Sequence, residues 1–127
     1  MQAYLLVFLG AGLGGMLRHT VNLLAARLLG TGFPWGTFLI NISGSLVMGL
    51  LAGFLAFRTG ANWTQHARLF LLTGVLGGYT TFSAFSLDSA LLFERGQMML
   101  AAAYIGGSVF LALAGVFGGL FVARALS

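Results

Sequence analysis

Cysteine is absent from these 127 residues, which removes disulfides, thiolate metal ligands and cysteine nucleophiles together. Acidic residues are almost as scarce: Asp88 and Glu94 are the only two, and the first of them lies far from either histidine, His19 or His66. No metal-ligand cluster and no Ser-His-Asp pattern can be assembled from such a set, so hydrolytic and acid/base catalysis have almost no raw material. Lysine is missing too. The positive charge rests on six arginines scattered singly, net +4, without the clustered patch that nucleic acid needs. With a single proline and no Ser-, Gln- or Lys-rich tract there is no linker, and residues 1–127 read as one domain.

Apolar residues are what the chain has in excess. They make up 59%, against 6% charged, where soluble domains carry about 25% charged residues; mean hydropathy is +1.00. Lipid, not water, is the solvent this composition suits. Apolar runs cover Tyr4 to Leu28, Trp35 to Phe57, Leu69 to Phe93 and Met98 to Ala123, each near the ~20 helical residues that cross ~30 Å of hydrocarbon. The expected fold is all-α: four transmembrane helices with both termini on one side of the bilayer. Between the runs stand Gly30-Thr-Gly-Phe-Pro34, the polar segment from Arg58 to Arg68, and Glu94-Arg-Gly-Gln97, each rich in turn chemistry. The N-terminal run lacks a positive n-region and a small-residue cleavage site, so it reads as a retained span. Tyr4, Trp35 and Trp63 fall near span ends, where interfacial aromatics collect.

Each span carries glycines four apart: Gly10/Gly14, Gly49/Gly53, Gly74/Gly78 and Gly115/Gly119. Such pairs let helix backbones approach closely. Four spans enclose little interior, so polar residues on them call for a second chain, and an oligomer is expected. Loop arginines divide almost evenly, Arg58, Arg68 and Arg124 against Arg27 and Arg95. So weak a bias permits insertion in both directions and an antiparallel pairing of the chain with itself.

Gly10-Ala-Gly12-Leu-Gly-Gly15 fits the dinucleotide-binding pattern, but it has neither a preceding strand nor an acid about 20 residues on. The informative stretch is Gly77-Gly78-Tyr79-Thr80-Thr81-Phe82-Ser83-Ala84-Phe85 in span three. Paired glycines and threonines are poor helix formers, by roughly 1 kcal/mol per glycine, so a broken helix is expected there. Non-helical backbone at membrane depth survives only when buried in protein or lining a cavity. Carbonyls ending the first half-helix could bind a cation, and Thr80, Thr81 or Ser83 could cap the second half. Phe82 and Phe85 share a helix face, and the positive edges of their rings could lie against a small anion. Asn41, with Ser43 and Ser45 nearby, and Tyr104 with Ser108 could be interhelical hydrogen-bond glue or donors along an anion path. Arg18, well inside span one, could draw in an anion, snorkel beside His19, or pair with a carboxylate such as Asp88.

Gly14-Gly-Met-Leu-Arg18, Gly36-Thr-Phe-Leu-Ile-Asn41-Ile-Ser-Gly44 and the span-three motif, in this order and spacing, resemble the Fluc or CrcB family of fluoride channels over the whole chain. That resemblance implies a passive fluoride exporter of the bacterial inner membrane that relieves fluoride toxicity, built as a dual-topology antiparallel homodimer with two pores. It also implies a structural sodium ion at the dimer centre, held by backbone carbonyls of Gly77 and Thr80. Phe82 and Phe85 become the pore phenylalanines, with Thr81 and Ser83 beside them; Asn41 is the amide in the path, Tyr104 and Ser108 the polar track, and Arg18 the vestibule arginine. Three residues depart from the family pattern: Asp88 where glutamate is usual, Ala84 where threonine is frequent, and Ala112 where a hydroxyl often extends the track. A small multidrug-type exporter, the nearest rival, would need an acid in span one, which has none. A scaffold subunit would leave the polar break in span three unexplained.

Overall fold

In the computed structural model, residues 1–56 and 63–126 are described. The expected end of span two at Phe57 and the loop charge Arg58 lie outside the described residues. Helix α1 is Gln2–Leu29 and α2 is Trp35–Ala56. The third helical segment, α3 (64–79), opens with Thr64–Ala67, widens into π-helical turns over Arg68–Leu76 and closes with Gly77–Tyr79. After Thr80 and Thr81 come α4, Phe82–Glu94, and α5, Met98–Ala125. Among the described residues four stretches are thus long and apolar enough to span a bilayer, α3 and α4 together making the third, Thr64–Glu94. The chain is an all-helical, multi-pass membrane protein.

The first, third and fourth spans outrun the apolar runs that mark them. At 28 residues, α1 is about 42 Å long at 1.5 Å per residue, enough to continue through both headgroup layers. Hydropathy marks the hydrocarbon boundary, whereas the backbone ladder stops only where turn chemistry intervenes. Gly30 (φ 85°) and Gly96 (φ 78°) supply that chemistry, in a left-handed conformation open to glycine at little cost.

Two helix pairs make the bundle, α1 on α3 and α2 on α5, and glycine makes each pair possible. A Cβ added at Gly14 would strike the Val75 carbonyl and lie 2.7 Å from the Tyr79 nitrogen; one at Gly119 would lie 2.5 Å from the Leu46 oxygen and 2.6 Å from the Leu50 nitrogen. These obstacles are backbone atoms, which cannot rotate aside. Backbone-to-backbone contact of this kind is how membrane helices gain dispersion energy without a hydrophobic drive between them.

Side chains bury little. One small core gathers Leu55, Leu72 and Leu76; a second gathers Leu92, Ala101 and Tyr104 beneath Phe33, Phe38 and Phe85. Phe110, Phe117 and Phe121, by contrast, form an exposed stripe along one face of α5. In water that stripe would drive aggregation; in lipid it meets its own kind.

Candidate functional site

Thr80 (φ −81°, ψ 157°) and Thr81 (φ −152°, ψ 124°) are extended, between the last turn of α3 and the first of α4. Local chemistry favours that geometry. The Thr80 hydroxyl and amide both donate to the Leu76 carbonyl, at 3.0 Å each, closing α3. Thr81 is the N-cap of α4: its Oγ1 accepts from the Ala84 amide at 3.2 Å and lies 3.3 Å from the Ser83 hydroxyl. A cap of this type contributes about 1 kcal/mol. Of the three candidate caps, then, Thr81 performs the role.

Asn41 docks on the extended residues as a neighbouring strand would. Its Nδ2 donates to the Thr81 carbonyl at 3.0 Å, and its Oδ1 accepts from the Thr81 amide at 2.9 Å. A primary amide has two N–H groups and two acceptor lone pairs, so one N–H and one lone pair remain for the cleft that Asn41 lines. From α1, the Arg18 Nε donates to the Gly78 carbonyl at 3.1 Å. Its hydrogen-bonding partner is thus the end of α3, while Asp88 accepts instead from the Tyr104 hydroxyl at 3.2 Å. Ser43 turns toward α3 as well, 3.0 Å from the Tyr79 hydroxyl.

Two amides that would occupy carbonyls in a continuous helix are therefore diverted. The Thr81 N–H goes to Asn41 rather than to Gly77, and the Ala84 N–H goes to the Thr81 side chain rather than to Thr80. This leaves the Gly77 and Thr80 carbonyls without their helical partners, and Gly77 is exposed. The described residues contain no group of three or more His, Cys, Asp or Glu side chains that could hold a metal ion. What the interruption offers a cation is neutral carbonyl oxygen, the donor type that suits a hard monovalent ion.

Beside the interruption lies an open cleft of about 350 Å³, lined by Asn41 and Ser45 of α2, Thr80, Thr81, Phe82 and Phe85, and Ser108, Val109, Ala112 and Leu113 of α5. Among the described residues that line it, none is ionisable. Ser108 Oγ is the one buried side-chain oxygen or nitrogen of the described residues without a hydrogen-bond partner. An orphaned buried hydroxyl costs roughly 1–3 kcal/mol, and Ser108 is among the residues of the cleft wall. The Phe82 and Phe85 ring centroids are 5.5 Å apart, but Phe82 is 77% exposed. In a single chain its ring lies open on the protein surface.

A second cleft, of about 240 Å³, opens at the end of the bundle where Arg95 lies; Asn22, Thr37 and Asp88 line it. Tyr104 separates the two. Fully buried, its ring sits 5.2 Å from Phe85 and 5.5 Å from Phe33, centroid to centroid, and its hydroxyl bonds the second cleft's Asp88. Ser108, one turn on from Tyr104, lines the first cleft. Sequence reasoning overlooked Asn22 and Thr37, although for Thr37 a signal was present: Thr37, Asn41 and Ser45 repeat every fourth residue and so form one polar line on α2. Ser83 lies beside Thr81 and is exposed.

Comparison with known proteins places this arrangement. A family profile described as CrcB-like protein, Camphor Resistance (CrcB), matches residues 5–120. The chain is 64% identical over 126 residues to the fluoride-specific ion channel FluC of Rhodopseudomonas palustris (strain BisB5), covering 99% of this chain and 100% of that one. It is 64% identical to fluoride-specific ion channel FluC 2 of Nitrobacter hamburgensis, over 98% of both chains. To the FluC of Beijerinckia indica it is 59% identical over 127 residues, the full length of each.

Proposed function

This chain belongs to the CrcB-like protein family, and we propose that it conducts fluoride passively out of the cell as an antiparallel homodimer in the bacterial cytoplasmic membrane. The observation that carries the reading is the cleft beside the interruption. It gathers Asn41, Phe82, Phe85 and Ser108 from three separate helices onto one wall system without any ionisable side chain. A fixed positive charge would hold a small anion too tightly to let it leave, whereas uncharged donors and ring edges bind weakly at several points in succession. The spare N–H of Asn41, the orphaned Ser108 hydroxyl and the amino end of α4 are such donors. It is a channel, not an enzyme. Direction follows from the membrane potential: inside-negative polarisation favours anion exit by ~2.3 kcal/mol per 100 mV.

Two features support the dimer. Phe82 lines the cleft yet is 77% exposed, so its ring completes an enclosed path only when a second surface covers it. The loop arginines divide three to two, Arg58, Arg68 and Arg124 against Arg27 and Arg95, a bias too weak to fix a single orientation. The broken third span supplies the cation site: the Gly77 and Thr80 carbonyls of each copy would hold the sodium ion, which would tie the two interruptions together. Two carbonyls per chain are too few for such an ion, and two chains double the set.

Fluoride efflux from liposomes holding the purified protein, started with a potassium ionophore and read with a fluoride electrode, tests the function. Fluoride leaves rapidly while chloride in a parallel preparation stays. In the same assay Phe82→Ile and Phe85→Ile each lower flux at least tenfold in intact dimers; unchanged flux from both would remove the rings from the path. Purification with a large organic cation in place of sodium lowers the thermal stability of the dimer, and adding sodium back restores it. Indifference to the exchange would dismiss the cation site.

A further inference from the structure

Arg18 lines neither cleft. Its side chain is partly buried, and its Nε reaches 60 residues along the chain to the Gly78 carbonyl. That carbonyl belongs to the last turn of α3, whose helical acceptor role lapses because the chain is extended at Thr80 and Thr81. The contact is set from both sides. Gly78 lies against the Ala11 backbone and Gly14 against Val75 and Tyr79, so α1 and the end of α3 touch main chain to main chain one turn below Arg18. Carbonyls at a helix C-terminus carry about half a negative charge, and left bare at membrane depth each costs several kcal/mol. An arginine supplies both a donor and a compensating positive charge at that point.

We propose that Arg18 is a positioning residue: by capping Gly78 from α1 it holds the end of α3, and through it the Thr80–Thr81 interruption, in the conducting geometry, rather than recruiting the anion by its charge. Asn41 grips the interruption from α2 at Thr81; Arg18 grips it from α1 at Gly78. The two side chains hold the interruption from two different helices, Arg18 of α1 at Gly78 and Asn41 of α2 at Thr81. This inference rests on the channel reading for its flux measurement, but its exchange measurement stands apart from it.

The test uses the atom count of the side chain. Glutamine places its Nε2 as many bonds from the backbone as arginine places Nε, so Arg18→Gln keeps a donor and loses the charge; Arg18→Met keeps the length and loses both. Fluoride flux in liposomes is compared at about 0.05 M and 1 M inert salt, since at 1 M the Debye length falls to about 3 Å and long-range attraction is screened. Backbone hydrogen exchange of the purified dimers is followed over residues 77–84. Positioning predicts that Arg18→Gln keeps at least a third of wild-type flux at both salt levels. Arg18→Met falls at least tenfold at both, with exchange over 77–84 accelerated at least tenfold. Recruitment predicts that Gln and Met lose flux equally, that the loss shrinks at high salt, and that exchange is unchanged; that result overturns the proposal. If Arg18→Met does not yield folded protein, the glutamine variant decides alone: a screened loss overturns positioning and a retained flux upholds it. A wild type that passes no fluoride refutes the channel reading, and the exchange comparison then decides the role of Arg18.

Discussion

Asn41→Asp lowers fluoride flux at least 100-fold while the chain still folds and assembles. Aspartate keeps an acceptor for the Thr81 amide, the 2.9 Å bond, but cannot donate to the Thr81 carbonyl, where the wild type has a 3.0 Å bond. Two oxygens then face each other across that gap, and the carbonyl loses its partner at a cost of about 1–3 kcal/mol. The carboxylate also lines the cleft through which the anion passes. Two like charges 4 Å apart repel by about 4 kcal/mol at an effective dielectric constant near 20, and every 1.36 kcal/mol is a factor of ten in rate. Either effect alone predicts a severe loss, and the second spares the fold. Flux within tenfold of wild type, in dimers that elute normally, would mean that Asn41 lies off the path and that its clamp on Thr81 is dispensable.

Gly119→Val has an equally large effect, on folding rather than on conduction. Its Cβ would lie 2.5 Å from the Leu46 oxygen, 2.6 Å from the Leu50 nitrogen and 2.9 Å from the Gly49 carbonyl carbon, all main-chain atoms. Helices α2 and α5, the most extensively paired in the bundle, must then move apart along their length. Overpacking in a compliant core costs about 1–3 kcal/mol, and here no side chain can yield, so the loss exceeds ~3 kcal/mol. The expected result is little or no monodisperse protein after extraction. Gly118→Ala, one position away, meets no atom within 4 Å and gains up to about 1 kcal/mol of helix propensity. Its thermal unfolding therefore equals or exceeds that of the wild type. Similar behaviour of the two variants would show that the α2–α5 contact can yield to a side chain at Gly119.

The polar lines of the site were partly legible from spacing alone. Thr37, Asn41 and Ser45 recur every fourth residue on α2, and Tyr104 and Ser108 do so on α5; a helix of 3.6 residues per turn places each set on one face. Spacing says nothing, however, about which face meets which. The glycine pairs showed that helices approach closely, but not that Gly14 and Gly78 join α1 to α3 while Gly49 and Gly119 join α2 to α5. The widened turns over Arg68–Leu76 left no mark in the composition of that segment. For Arg18 the sequence left three roles open, and its bond to Gly78 is none of them.

Composition and period alone determined that this chain suits lipid, crosses it four times and offers almost no side chains for acid/base or metal-ligand chemistry. Those are properties of residue content and of the regular helix, which hold wherever the helices happen to lie. Only the tertiary structure decided that Asn41 and Arg18 hold the two sides of the Thr80–Thr81 interruption, that the Thr81 amide diverted to Asn41 releases the Gly77 carbonyl, and that Tyr104 divides two clefts. Each of these depends on contacts between residues 16 to 60 positions apart, where rotation of one helix by a third of a turn would pair different atoms while leaving every local pattern in the sequence unchanged.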